Sequence, residues 1–192
     1  MTYVLAVGTG YLLGSVPVAQ LVARRHGVDL LQTGDGNPGA WNALEQLGPG
    51  RAWPAFVGDG AKGALAGVVG LTLGDVWTGY AAVAAAMAGH ALPVFARGRG
   101  GKAVMTFVGG AFALSPVAAF GALALGCAAG APDRSFARLA RVGVFSFPLV
   151  QLLVDPVQRV AATGGLMTII GALFLLRRSA RATSGPAGAP TR

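Results

Sequence analysis

VGVFSFPLVQLLVDPVQRVAATGGLMTIIGALFLL, residues 142–176, is apolar for longer than one membrane helix requires and is interrupted at its middle by Asp155-Pro156. A bilayer core about 30 Å thick takes roughly 20 helical residues to cross. Proline removes a backbone donor and disfavours helix in the residue before it, so the stretch reads either as one interrupted span or as two. Val104 to Ala131, broken at Ser115-Pro116, poses the same choice. Outward from these, three runs need no such choice: Thr2 to Ala23, Val57 to Leu73 and Val76 to Phe95, the last two parted by Gly74-Asp75. The chain therefore crosses a membrane five times if each long stretch counts once and seven times if each counts twice.

The basic residues choose between the two counts. Five crossings set Arg134, Arg138 and Arg141 opposite Arg24, Arg25, Arg97 and Arg99. Seven gather Arg24, Arg25, Arg51, Arg97, Arg99, Lys102, the Arg134 to Arg141 cluster and Arg177, Arg178, Arg181 and Arg192 on one face, leaving Arg159 alone opposite. The positive-inside rule favours seven, with the N-terminus outside and the C-terminus cytoplasmic; five is the alternative. Halves such as Val104 to Leu114 are short for a crossing and read as half-helices packed inside the bundle. The expectation is an all-α integral membrane domain over residues 1–182, followed by a disordered cytoplasmic tail, TSGPAGAPTR, over 183–192.

Composition agrees. Of 192 residues, 54% are hydrophobic and 11% charged, against roughly 25% charged in a soluble domain, which excludes an ordinary soluble globule. Thirty-one glycines supply the small contacts by which membrane helices approach one another. The net charge of +8 does not read as a nucleic-acid surface, because the cations fall between apolar runs and not in one solvated patch. Cys127 is the sole cysteine, excluding an internal disulfide and a Cys-based metal site, and is expected as a small packing residue. The first run lacks a basic leader and a convincing cleavage site, so it reads as a retained span and not a signal peptide. Trp77 and Tyr80 at one boundary and Trp53 at the other read as interfacial aromatics.

In the seven-span topology three polar, glycine-bearing segments emerge on one face: Gly14 to Asn42, Asp59 to Gly63, and Gly89 to Thr106. The first contains Gly34-Asp35-Gly36-Asn37-Pro38-Gly39, which spells a dinucleotide fingerprint, but no strand precedes it and no βαβ unit surrounds it. What remains is a loop whose glycines let backbone N–H groups approach an anion, with Asn37 and Asn42 adding amides. Asp59 and Lys62, three apart, share a helix face. Such a pair within a membrane span marks a functional site by default, with Lys62 binding an anion and Asp59 orienting it. A pair snorkelling to the interface is the plainer reading.

The third segment joins His90 to Arg97-Gly98-Arg99-Gly100-Gly101-Lys102, a phosphate cradle of guanidinium forks, exposed amides and a helix N-terminus. It is not a Walker A loop, because Ala96 and Ala103 stand where that motif needs glycine and Ser or Thr. A basic loop that only fixes topology explains the charge but not the glycines. His90 alone reads more readily as a structural histidine than as a catalyst, and beside such a cradle the two readings come level.

These residues resemble the bacterial membrane glycerol-3-phosphate acyltransferases that use acyl phosphate as donor. Gly14-Ser15-Val16-Pro17, then Gly34, Gly36-Asn37, Gly39-Ala40 and Asn42, are similar to the family's first motif. Asp59, Lys62 and Gly63 resemble its second, and Gly89-His90, Pro93, Phe95, Gly100-Gly101-Lys102, Val104 and Thr106 its third. The likeness runs from about Gly14 to Thr106. It implies a seven-helix fold in the bacterial plasma membrane, multi-pass, with the site at the cytoplasmic face. It also implies transfer of a fatty acyl group from acyl phosphate to the 1-hydroxyl of glycerol 3-phosphate, giving lysophosphatidic acid and phosphate. No cofactor and no metal is implied, membrane lipid is the surrounding partner, and catalysis is positioning and electrostatics. By the same resemblance Ser15, His90 and Lys102 are the candidate catalytic residues. Gly36, Asn37, Gly39, Asn42, Asp59, Lys62, Arg99, Gly100, Gly101 and Arg141 are the candidate substrate-binding residues.

The chain departs from the family pattern. Leu31 stands for an arginine, Asp35 for a loop serine, Trp41 for a threonine and Arg99 for a lysine, and Ala103 and Met105 alter the positions beside Lys102. Arg141 and Ser146 lie near an arginine-serine segment whose pattern is incomplete, and Arg177 to Arg181 lacks the expected histidine and asparagine. A divergent paralogue acting on another phosphorylated acceptor is therefore a second reading. A small anion or lipid transporter or a non-catalytic membrane partner is a third, although broken helices occur here without the internal repeat a transporter favours.

Overall fold

The structure, a computed structural model, describes residues 1–183 and is helical, with no strand among the described residues. The expected disordered tail lies outside these residues but for Thr183, which ends the last helix. The helices are α1 Thr2–Gly14, α2 Val18–Arg25, α3 Ala40–Leu47, α4 Pro49–Leu73, α5 Val76–Ala91, α6 Val104–Leu114, α7 Pro116–Gly130, α8 Phe136–Val154 and α9 Val157–Thr183, with a single 3₁₀ turn at Val94–Ala96. Five stretches are long and apolar enough to cross a membrane: Thr2–Arg25, Pro49–Leu73, Val76–Ala96, Phe136–Val154 and Val157–Arg177. Val104–Leu114 and Pro116–Gly130 are shorter apolar helices.

Both long apolar stretches break where proline stands, at Ser115-Pro116 and Asp155-Pro156. The first run also breaks, which the sequence reading of one span from Thr2 to Ala23 did not anticipate. Pro17 withholds the N–H that Leu13 would bond, and α1 ends at Gly14. The chain then turns through Ser15-Val16 into the short, amphipathic α2.

Main-chain approaches set the helix directions. Methyl groups at Gly10 and Gly14 would collide with the carbonyls of Ala82 and Ala86, so α1 lies parallel to α5 with almost nothing between the backbones. Gly63 sits equally close to Thr106 O, joining α4 to α6, and Gly70 meets Thr78 and Gly79, joining α4 antiparallel to α5. Gly126 and Gly130 pack on Leu139, making α7 and α8 an antiparallel pair. One hydrophobic core runs through Val83, Met87, Phe107, Leu114, Phe147 and Leu166. A second, around Ala19, Leu30, Ala43 and Ala52, fixes α2 and α3 against α4.

The turns after α6 and α8 meet at one end. The Ser115 hydroxyl bonds the Asp155 carboxylate, Arg159 pairs with Asp155, and its guanidinium also donates to Leu114 O. Beside them the Tyr80 hydroxyl receives Gln151 Nε2 at 3.0 Å and lies 3.1 Å from both Arg159 O and Thr163 Oγ1. Tyr80 is thus a buried bridge between α5, α8 and α9 and not an interfacial anchor. Trp53 and Trp77 do face outward. Cys127 also corrects its expectation: it is on the exposed face of α7, where its neighbours Gly126 and Gly130 make the helix contact instead.

Candidate active site

At the opposite end, a cleft is lined by Gly14, Val16 and Pro17 from the first turn, Pro38 from the glycine loop, Asp59 and Lys62 from α4, His90 from α5, and Pro93, Arg99, Gly100 and Gly101 from the loop after it. The three segments singled out by sequence therefore meet. Asp59 and Lys62, 1% and 5% exposed, form an ion pair of 2.9 Å. The Lys62 ammonium also donates to Val16 O at 3.0 Å, a carbonyl that the break before Pro17 turns toward α4. His90 Nδ1 stands 3.7 Å from Asp59 Oδ1, too far for a hydrogen bond. Among the described residues neither His90 Nδ1 nor Asp59 Oδ2 has a hydrogen-bond partner. A charge buried so deeply is tolerated only when paired, which is why Asp59 and Lys62 come one helical turn apart.

The loop from Leu92 to Ala103 folds back under His90. Gly101 N donates to His90 O at 3.0 Å, and Gly98 N to Pro93 O at 2.9 Å. A methyl group on Gly101 would strike His90 Nε2, and one on Gly100 would strike the carbonyls of His90 and Ala91, so glycine at both places brings backbone against the imidazole. The N–H groups of Gly100 and Lys102 donate to no acceptor among the described residues. Of these two unspent donors, the Gly100 amide belongs to a residue that lines the cleft and the Lys102 amide follows the lining pair Gly100-Gly101.

The glycine loop is held by Asn42, whose amide reaches Leu30 O, Thr33 O and Asn37 O at 3.0–3.1 Å. Gly34 and Gly36 carry φ of +58° and +59°, which the tight turn requires, and Gly39 caps α3. Asp35 Oδ1 accepts from Asn37 N at 3.1 Å. Asn37 is buried with its side-chain oxygen unpartnered among the described residues. Before this loop, Asp29 accepts from Gln20 Nε2 at 2.6 Å and Leu31 N at 3.0 Å, with Arg24 3.9 Å away. The Gln20 and Leu31 hydrogen bonds hold the Asp29 carboxyl below its ordinary value.

Not every candidate lines the cleft. Ser15 is wholly buried against Gly89 and donates to Tyr11 O at 2.8 Å, while its neighbours Gly14 and Val16 form the wall. Gly36, Asn37, Gly39 and Asn42 build the loop whose Pro38 reaches the cleft. Lys102 pairs with Asp35 Oδ2 at 3.1 Å and lies over the Phe174 ring at 4.4 Å. Arg141 is on α8, donating to Ala137 O at 3.2 Å, and is not among the lining residues. Sequence reasoning passed over Phe174 and Tyr11, whose hydroxyl donates to Leu92 O at 2.9 Å, and took Arg177 for a topological charge although it donates to Ala91 O at 3.1 Å. Nothing in an apolar run marks which aromatic will lie under a lysine.

Comparison with known proteins follows the same lines. A family model described as glycerol-3-phosphate acyltransferase matches residues 4–183. A glycerol-3-phosphate acyltransferase of Rubrobacter xylanophilus is 37% identical over 95% of this chain and 92% of its own. One from Geobacter sulfurreducens is 32% identical over 87% and 85%. The crystal structure of PlsY (YgiH), an integral membrane glycerol 3-phosphate acyltransferase, in its glycerol 3-phosphate form superimposes with a TM-score of 0.78 at 27% identity, covering 95% of this chain and 91% of that one. With apolar helices throughout and the matched motifs gathered in one cleft, the chain belongs to the glycerol-3-phosphate acyltransferase family and is a multi-pass membrane acyltransferase.

Proposed function

We propose that the protein transfers a fatty acyl group from acyl phosphate to the 1-hydroxyl of glycerol 3-phosphate, yielding lysophosphatidic acid and inorganic phosphate. The observation that carries this reading is the meeting of Lys62, His90, Arg99 and Gly100, whose amide is unspent among the described residues, around one cleft, with Lys102 next in the loop that lines it. The acceptor oxygen attacks the acyl carbonyl carbon, a new ester C–O bond forms, and the C–O bond to phosphate breaks with its electron pair leaving on phosphate. The hydroxyl proton passes to His90 Nε2 and on to the departing phosphate, while the Asp59 carboxylate steadies the imidazolium. The Gly100 and Lys102 amides serve the developing oxyanion, and Arg99 and Lys62 the phosphate charge. Ser15, Asn37 and Asn42 shape the walls. No metal or cofactor enters these steps.

In the membrane, the cleft faces the cytoplasm of a bacterial cell. α1 and α4 to α9 make seven crossings with the N-terminus outside and the C-terminus inside, the arrangement that gathers the arginines. α6 and α7, at about 17 and 22 Å by helical rise, are short crossings inside the bundle. Purified protein tests the reaction: phosphate should be released from acyl phosphate only when glycerol 3-phosphate is present, with lysophosphatidic acid appearing in equal amount. Release without acceptor, or no release, would overturn it. In a Cys127→Ala background, a cysteine at Ser115 should label from outside intact cells and one at Arg138 should not.

A further inference from the structure

In and around the cleft fewer cations are uncommitted than the sequence suggests. Lys62 is matched by Asp59 at 2.9 Å, Lys102 by Asp35 at 3.1 Å and Arg24 by Asp29 at 3.9 Å. Arg99, the other lining cation, makes no ion pair among the described residues. The Asp35–Lys102 pair joins the two loops that flank the cleft, since Pro38 follows the one and Gly100-Gly101 precede the other in its lining. Asp35 is aimed by its own turn: Oδ1 is fixed by Asn37 N, leaving Oδ2 toward the ammonium. Asn42 holds that turn to the body of the protein, so the carboxylate is fixed and does not hang on a free tail.

We propose that Asp35 is a specificity-determining residue of the acceptor site: by holding Lys102 it lowers the site's attraction for dianions relative to monoanions. This rests on the acyl-transfer reading above, in that the anion concerned is the acceptor's phosphate. Coulomb energy scales with ligand charge, so one neutralised cation costs a dianion twice the free energy it costs a monoanion. In affinity the dianion's fold-change is therefore the square of the monoanion's. The pair therefore narrows the margin by which the site prefers a dianion to a monoanion.

Sulfate and methyl sulfate test this, because they keep two charges and one across the neutral range and resemble the phosphate head in size. Their binding to the full-length purified protein is measured by calorimetry for the parent, Asp35→Asn, Lys102→Gln and the double variant. Asparagine keeps an oxygen for Asn37 N, so the turn persists. Asp35→Asn should tighten sulfate about tenfold and methyl sulfate about threefold, and Lys102→Gln should weaken sulfate more in the Asp35→Asn background than in the parent. Equal changes for the two anions, weaker sulfate binding in Asp35→Asn, or no binding by any form would each overturn the proposal. Should Asp35→Asn not fold, Lys102→Gln alone decides. Sulfate binding left within about twofold of the parent supports a charge already neutralised, and a tenfold loss refutes it. Acyl transfer is assayed separately. Calorimetry as expected with no glycerol 3-phosphate-dependent phosphate release would sink the functional reading while leaving the charge discrimination standing.

Discussion

Replacing Lys62 by Met keeps the length of the side chain and removes its charge. The partner left behind is Asp59, 1% exposed, with His90 Nδ1 at 3.7 Å as its remaining basic neighbour in an ion-pair geometry among the described residues. Breaking a buried pair by deleting one member costs about 3–5 kcal/mol, because the remaining charge is stranded. That corresponds to roughly a hundredfold to a few thousandfold in the folding equilibrium and to a fall of about 6–20 °C in Tm for a chain of this size. The second variant, Lys62→Met with Asp59→Asn, strands no charge and should regain most of the lost Tm. Thermal unfolding in one lipid-detergent mixture, read beside phosphate release, separates the two roles. The expected pattern is an unstable, inactive single variant and a stable, inactive double variant. A single variant that melts with the parent would refute the buried pairing, and a double variant that regains activity with stability would confine Lys62 to folding.

Gly101→Ala should lower kcat by at least about tenfold with the protein still folded, because the new methyl displaces the His90 imidazole; unchanged kcat in steady-state assays would remove His90 from the reacting centre. Tyr80→Phe should destabilise the fold by about 1–3 kcal/mol while leaving KM for glycerol 3-phosphate unaltered, since the hydroxyl ties Gln151, Thr163 and Arg159 O at the end away from the cleft; a changed KM in lipid-reconstituted protein would couple the two ends. Asp29 titrates below its ordinary value, so its stabilising contribution is complete above the unfolded value near 4 and is lost as pH falls through the lower folded value. Asp29→Ala should therefore melt below the parent at pH 7, and the gap should close under acid conditions; a gap that is constant with pH would show that the carboxylate's charge is not what holds the loop.

Much of this was legible because a few residue types act alone. Pro116 and Pro156 stand where helices part, although Pro54 and Pro148 lie inside α4 and α8, and Asp59 and Lys62 advertise a buried site because a charged pair in an apolar span is costly. Residues whose roles depend on a partner far along the chain were harder. Tyr80 lies beside Trp77 near a span boundary and reads as an anchor, yet Gln151 and Thr163 arrive from α8 and α9 to bury it. Pro17 falls inside an apolar run that looks continuous, so the turn presenting Val16 O to Lys62 was invisible without α4. Lys102 was read as an uncommitted cation because Asp35 is far away in sequence and Phe174 farther still. Asn42 was counted with the anion binders, whereas its amide is spent on the loop's own carbonyls.

The cleft takes its wall from the turn after α1 and the ring beneath Lys102 from α9. During synthesis these parts leave the ribosome in that order, with every other helix between them. Until α9 inserts, Lys102 has no aromatic face below it and Ala91 O no guanidinium beside it. The ion pairs Asp59–Lys62 and Asp35–Lys102 join residues that all precede α9, whereas the contacts of Phe174 and Arg177 wait for it. A chain lacking α9 would keep every residue that lines the cleft and lose the ring under Lys102 and the guanidinium on Ala91 O, so α9 buttresses the site from behind without forming its wall.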